Sequence, residues 1–166
     1  MVAKTPCVLG LSLGTQKIGV AVLKNKLPIV HKVAAFNSRW SERKLQSIIR
    51  SIARVRINNH VTAVSVKIPR QSHHTVALQT LITALKEKYK AADIPFHICT
   101  IRELKSHGIT EGRNNKKQLV RAMASKYPDL YPKAAKEQRS RIAYHTKMFE
   151  AVAAAELFLE QLTKNT

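Results

Sequence analysis

Acid is what this sequence has least of. Asp and Glu together number 10 against 29 Lys and Arg, the formal net charge is +19, and no carboxylate side chain occurs before Glu42. Ordinary solvated surfaces interleave both signs, whereas an excess of this size repels itself unless a polyanion neutralises it, which makes nucleic acid the expected partner. Cysteine is nearly absent. Cys7 and Cys99 stand alone in apolar surroundings with no CxxC or Cys/His cluster, which argues against a zinc site or a disulfide and fits buried free thiols in a reducing compartment. Aromatics are 5% of the chain, with Trp40, Tyr127 and Tyr131 near basic residues, so extended stacking on single strands is not the expected mode of binding. No stretch approaches the roughly 20 apolar residues of a spanning helix, and "MVAKTPC" lacks the apolar core of a secretory leader. The expected location is intracellular: cytoplasmic, nucleoid-associated, or in an organelle such as the mitochondrion, and no membrane partner is expected.

What is present is enough apolar residue, 45%, for one substantial core, and residues 1–166 are read as a single domain. "CVLGLSL", "KIGVAVLK" and "LPIVHKVAAF" alternate as three strands of a meander, separated by Gly14-Thr15-Gln16 and by Asn25-Lys26. Helical spacing follows, with Ser41 as N-cap, Leu45, Ile48, Ile49, Ile52 and Ala53 on the buried face and Arg43, Lys44, Arg50 and Arg54 off it. "VTAVSVKI" is a fourth strand ended by Pro69, and a helix from about Thr75 carries Leu78, Leu81, Ile82, Leu85 and Tyr89 at core spacing. "IPFHICTI" reads as the fifth strand, "KKQLVRAMASKY" as a basic helix, and "PDLYPKAAKEQRSR" as the lead into a last, alanine-rich helix whose buried stripe is Phe149, Val152, Ala155, Leu159 and Leu162. The order βββαβαβ followed by helices predicts an α/β fold, a mixed five-stranded sheet flanked by helices.

Three local motifs, in order, resemble the RNase H-like superfamily, and within it the RuvC-type Holliday-junction resolvases and the related YqgF family. "LGLSLGTQKIGVAV" is similar to the family hairpin "LGxDxGTxxxGxAV", in which the glycines serve the turn and the aspartate points into the active site. Gly112, Lys116 and Gln118 of "GRNNKKQLV" match a resolvase Gly followed by Lys at four and Gln at six residues. "EAVAAA" resembles the start of the family's C-terminal helix, with Glu150, Ala151, Ala153 and Ala155 at the matching positions. "VSVKIPRQSHHTVALQTL" and "ICTIRELKS" look like the YqgF fourth strand with its loop, and fifth strand with an acidic turn. The likeness spans about residues 6–162.

The resemblance implies a hydrolase using two divalent ions. Such ions, about 4 Å apart, need several carboxylates converging from strands and a helix. The sequence departs from the family at those positions. Ser12 stands for the first-strand aspartate, Lys67 at or beside the fourth-strand glutamate, Ile101 and Arg102 for the two acids of the turn before Glu103, and Lys147 for a second ligand one turn before Glu150. Glu150 is the surviving carboxylate, with Glu103 a weaker candidate; no metal ligand set is assigned and no cofactor is expected. Lys67 and Lys147 are then expected to supply charge once brought by metal, pairing with Glu150. The alternative is that Glu150 merely favours a helix N-terminus.

Other chemistries find less support. The histidines, His73, His74 and His145 among them, show no metal-ligand spacing, and "GLSLG" matches a nucleophile elbow in letters only, since a hairpin strand follows it. "GITEGRNNKK" has no P-loop pattern, but a Gly-rich stretch entering a basic helix suits phosphodiester contact. Arg70, Lys105, Arg113, Lys116, Lys117, Arg121 and Lys147 are therefore the expected nucleic-acid contacts. Three functions stand open: a protein that binds branched or structured DNA, four-way junctions favoured over RNA, without cleaving it; a Mg²⁺- or Mn²⁺-dependent Holliday-junction endonuclease with a reduced set drawn from Glu103, Glu150 and an acid such as Glu111; and an RNA-binding structural component of a ribonucleoprotein. The resemblance also implies a homodimer.

Overall fold

The structure, a computed structural model, describes residues 5–108, 116–141 and 144–164, and within these the side chains of 105–108 and 116 are not described. The apolar, β-branched segments at the start form β1 (Cys7–Ser12), β2 (Lys17–Lys24) and β3 (Leu27–Ala35), paired antiparallel in sequence order. Asn25 and Lys26 take φ of 54° and 61°, the left-handed pair that a tight two-residue hairpin turn requires. β4 (Ala63–Lys67) and β5 (Phe96–Cys99) add parallel to β1, so the sheet runs β3-β2-β1-β4-β5. The expected mixed five-stranded sheet is present.

Alternation along β1 divides the layers. Leu9 and Leu11 face α1 (Glu42–Asn58) and α2 (Val76–Ala91), while Val8 faces α6 (Thr146–Lys164), which shares its side with α3 (Ile101–Gly108), α4 (Lys116–Lys126) and α5 (Tyr131–Arg139). Ser41 caps α1 by accepting from Lys44 N at 3.1 Å, and Thr75 caps α2 by accepting from Leu78 N at 3.1 Å. All five expected core positions of α2 are buried. On α1 the apolar face is shifted: Val55 is buried, Ile49 and Ala53 are half-buried, and Lys44, expected off the core, is buried because its ammonium donates to the Ser38 carbonyl at 2.6 Å.

Three sequence readings need correction. β5 is shorter than "IPFHICTI", and Ile101 opens α3 where a strand and acidic turn were expected; the Thr100 carbonyl accepts from Glu103 N and Leu104 N, starting the helix. "YPKAAKEQR" is a helix of its own, α5. Of the hairpin glycines, Gly14 lies in the connection between β1 and β2, whereas Gly10 and Gly19 lie within the strands and serve helix approach rather than the turn. A Cβ at Gly10 would lie 1.9 Å from the Ala151 carbonyl oxygen, and one at Gly19 would lie 1.9 Å from that of Lys147. Their bare backbone lets α6 press on the sheet, so α6 is buried beyond a single stripe, from Met148 through Leu159, with Leu162 half-buried. Cys7 and Cys99 are free and buried. Among the described residues no helix is long and apolar enough to cross a membrane.

Candidate functional site

The carboxyl ends of the three parallel strands carry one polar row. Ser12 of β1 is the register partner of Lys67 in β4, and Lys67 is the partner of Cys99 in β5. Ser12 shares the parity of Val8 and therefore faces α6. Helix α6 lowers Glu150 onto this row: the Lys67 ammonium lies 2.6 Å from Glu150 Oε2, and the Ser12 hydroxyl donates to Oε1 at 3.3 Å. Glu150 is 1% exposed, Ser12 0% and Lys67 7%, so the triad is closed to solvent. One turn toward the start of α6, the Lys147 ammonium donates to the Leu13 carbonyl at 3.1 Å, at the mouth of the same strand end. Gly14 admits it, since a Cβ there would meet Nζ at 2.9 Å.

The electrostatics follow from burial. An ammonium and a carboxylate removed from water are tolerated only as a pair, because either one alone would keep its desolvation penalty. Glu150 lies inside α6, buried against Lys67 and Ser12, rather than at a solvated helix end. Beside the pair, burial first and the Glu103 carboxylate second push the Cys99 thiol up to about 12, partly opposed by Lys67. A thiol held that high is not a thiolate nucleophile or ligand at neutral pH. Glu103 itself is exposed on the first turn of α3.

Comparison by sequence finds no matching family model and no matching curated protein. Comparison by structure finds Thermus thermophilus RuvC in complex with a Holliday junction substrate, at TM-score 0.72 and 14% identity over 97% of each chain. A second Thermus thermophilus RuvC structure matches at TM-score 0.67 and 13% identity, over 95% of this chain and 96% of that one. The fold is RuvC-like. Within this RuvC-like fold, the strand and helix positions from which the family resemblance implies metal-binding carboxylates hold Ser12, Lys67, Lys147 and Glu150. That donor set does not fit two divalent cations: it offers a single carboxylate, already neutralised by an ammonium that occupies the space beside it. Among the described residues no three His, Cys, Asp or Glu side chains gather as a metal site.

The nucleic-acid candidates are placed unevenly. Arg70 is exposed on the loop leaving β4, at the same sheet end as Ser12 and Lys67. Lys117 and Arg121 are exposed on α4. Lys105 and Lys116 lie on α3 and α4 with their side chains outside the description, and Gly112, Arg113 and Glu111 lie outside the described residues. Tyr127 is not a stacking surface: it is buried, and its hydroxyl donates to Glu156 Oε2 at 2.8 Å. Sequence reasoning missed Glu137. Buried in α5, its carboxylate accepts from Tyr144 N at 2.9 Å, His145 N at 2.7 Å and the Thr146 hydroxyl at 2.9 Å, tethering the start of the helix that carries Lys147 and Glu150. Its one visible signal is being the sole acid of "YPKAAKEQR", too little to find it.

Proposed function

We propose that the protein binds branched or structured DNA, four-way junctions above other forms, and does not cleave it by a metal-dependent route. The observation that carries the reading is the Lys67–Glu150 pair at 2.6 Å, a fixed internal cation where a divalent ion would need free carboxylate oxygens. Arg70, on the loop at the same sheet end, and Lys117 and Arg121 on α4 present exposed charge, and Lys105, Arg113 and Lys116 belong to the same basic stretch of sequence as the α4 pair. Contact is with phosphates, which gives steep salt dependence and recognition by shape rather than by base. The junction-bound RuvC of matching fold supports the choice of four-way DNA, and two copies of the chain would match the symmetry of such a junction.

A gel titration of labelled four-way junction, matched duplex and structured RNA, each with Mg²⁺ or Mn²⁺ and with chelator, tests this. The expected result is a junction-selective shift, unchanged by metal, with no cut product. Metal-dependent symmetric nicking that disappears in Glu150→Gln would overturn the non-cleaving reading. Preferential binding of RNA would move the protein to a ribonucleoprotein scaffold.

A further inference from the structure

The site lies on the α6 side of the sheet, yet a row of exposed basic side chains lies on the opposite side. Helix α1 carries Arg43, Lys44, Arg50, Arg54 and Arg56 against the single acid Glu42. Three of these six groups are spoken for: Lys44 is held by the Ser38 carbonyl, Arg56 lies over the Tyr89 ring at 6.0 Å, and Glu42 accepts from Gln46 at 3.0 Å. Arg43, Arg50 and Arg54 remain, all exposed, and no carboxylate among the described residues pairs with them. At 100° per residue the three fall on one line, directly opposite the buried Leu45, Ile48 and Ile52, and span about 16 Å at 1.5 Å per residue.

This arrangement works against the helix that bears it. Arg50 and Arg54 are a like-charge i,i+4 pair, which destabilises an exposed helix, and neither has an acid three or four residues away to offset it. Guanidinium groups present a planar fork suited to phosphate. The buried face of α1 is spent on the sheet, and the large apolar side chain it leaves exposed, Ile57 at 58%, is too little to anchor a helix in lipid, so a phosphate backbone is the polyanion that fits. We infer that the outer face of α1 is a second nucleic-acid surface, holding a duplex segment separate from the one bound on the α6 side. One chain would then bring two segments together.

The surface is separable from the functional reading above, and stoichiometry distinguishes them. Short duplex DNA is titrated into the full chain at low salt, and bound duplexes per chain are counted by sedimentation for wild type, for Arg43→Gln/Arg50→Gln/Arg54→Gln, and for Lys117→Gln/Arg121→Gln. Wild type should take two duplexes. The α1 variant should take one, with its second association weakened on the order of a hundredfold and the overall salt slope shallower by about 2 to 3, as expected for three lost phosphate contacts. Its melting temperature should equal or slightly exceed that of wild type, since glutamine is a good helix former and the like-charge pair is gone. If the α6-side reading alone is wrong, wild type takes one duplex and the α1 variant none. Equal stoichiometry in wild type and the α1 variant overturns the inference. So does loss, in that variant, of binding to phosphatidylserine vesicles with no change in DNA binding.

Discussion

Replacing Lys67 with methionine removes the ammonium that faces Glu150 while leaving a side chain of similar length. Glu150, 1% exposed, would keep only the Ser12 hydroxyl at 3.3 Å. Losing one partner of a buried pair costs about 3–5 kcal/mol. Protonation sets a ceiling in the same range: neutralising an ordinary glutamate at pH 7 costs about 1.36 kcal/mol for each of roughly 2.7 pH units, or about 3.7 kcal/mol. A loss of about 3–4 kcal/mol is therefore predicted at pH 7, a large share of the roughly 5–15 kcal/mol by which a domain is stable. Glu150→Leu alone should cost less, about 1–3 kcal/mol, because Lys67 stands near the strand end and its stem can carry the ammonium toward water. The double variant should be about as stable as Lys67→Met alone, since the two losses share one interaction, giving a coupling energy of about 2–3 kcal/mol. Urea unfolding of the four proteins in one buffer reads the cycle. Single losses under about 1 kcal/mol that simply add would refute the argument that the pair is closed from solvent and mutually dependent.

Other outcomes follow from the same packing. Gly10→Ala and Gly19→Ala, each placing a Cβ 1.9 Å from an α6 carbonyl oxygen, should each cost at least the upper part of the roughly 1–3 kcal/mol range for overpacking; an unchanged urea midpoint would show that α6 does not press on the hairpin. Glu137→Gln puts an amide N–H where a carboxylate oxygen accepts, and should cost about 2–3 kcal/mol and speed amide exchange at Tyr144 and His145; exchange as slow as in wild type would count against the tether. His31 and His145 both titrate below the ordinary histidine value, chiefly through burial, and the Lys133 ammonium donates to His31 Nδ1 at 2.8 Å. The unfolded chain therefore binds more protons, so their contribution to stability is present above pH 6.5 and is lost as pH falls through that value toward the folded pKa. Melting temperatures between pH 8 and 5 should show this fall, and His31→Asn should flatten part of it.

Local pattern carried much of the architecture. Strand alternation, the Ser41 cap, the helix start at about Thr75 and the α2 core positions are short-range consequences of residue type, and they appear where the sequence places them. Helix α3 was legible but overlooked: Thr100-Ile-Arg-Glu103 has the S/T-x-x-E form of a capping box, and its nearness to an apolar run hid it. Lys44 was not legible, because its burial depends on a carbonyl six residues away turning toward it.

For the site, the sequence alone determined the inventory: the excess of base, the scarcity of acid, and serine and lysine at positions where metal chemistry calls for carboxylates. Tertiary structure decided what that inventory does. Ser12, Lys67 and Glu150 are separated by tens of residues, and only the parallel pairing of β1 with β4, together with the passage of α6 over Gly10 and Gly19, sets one carboxylate against one ammonium out of water. Residue types fix which charges exist; the free energy of removing them from solvent depends on which ones the fold brings into contact.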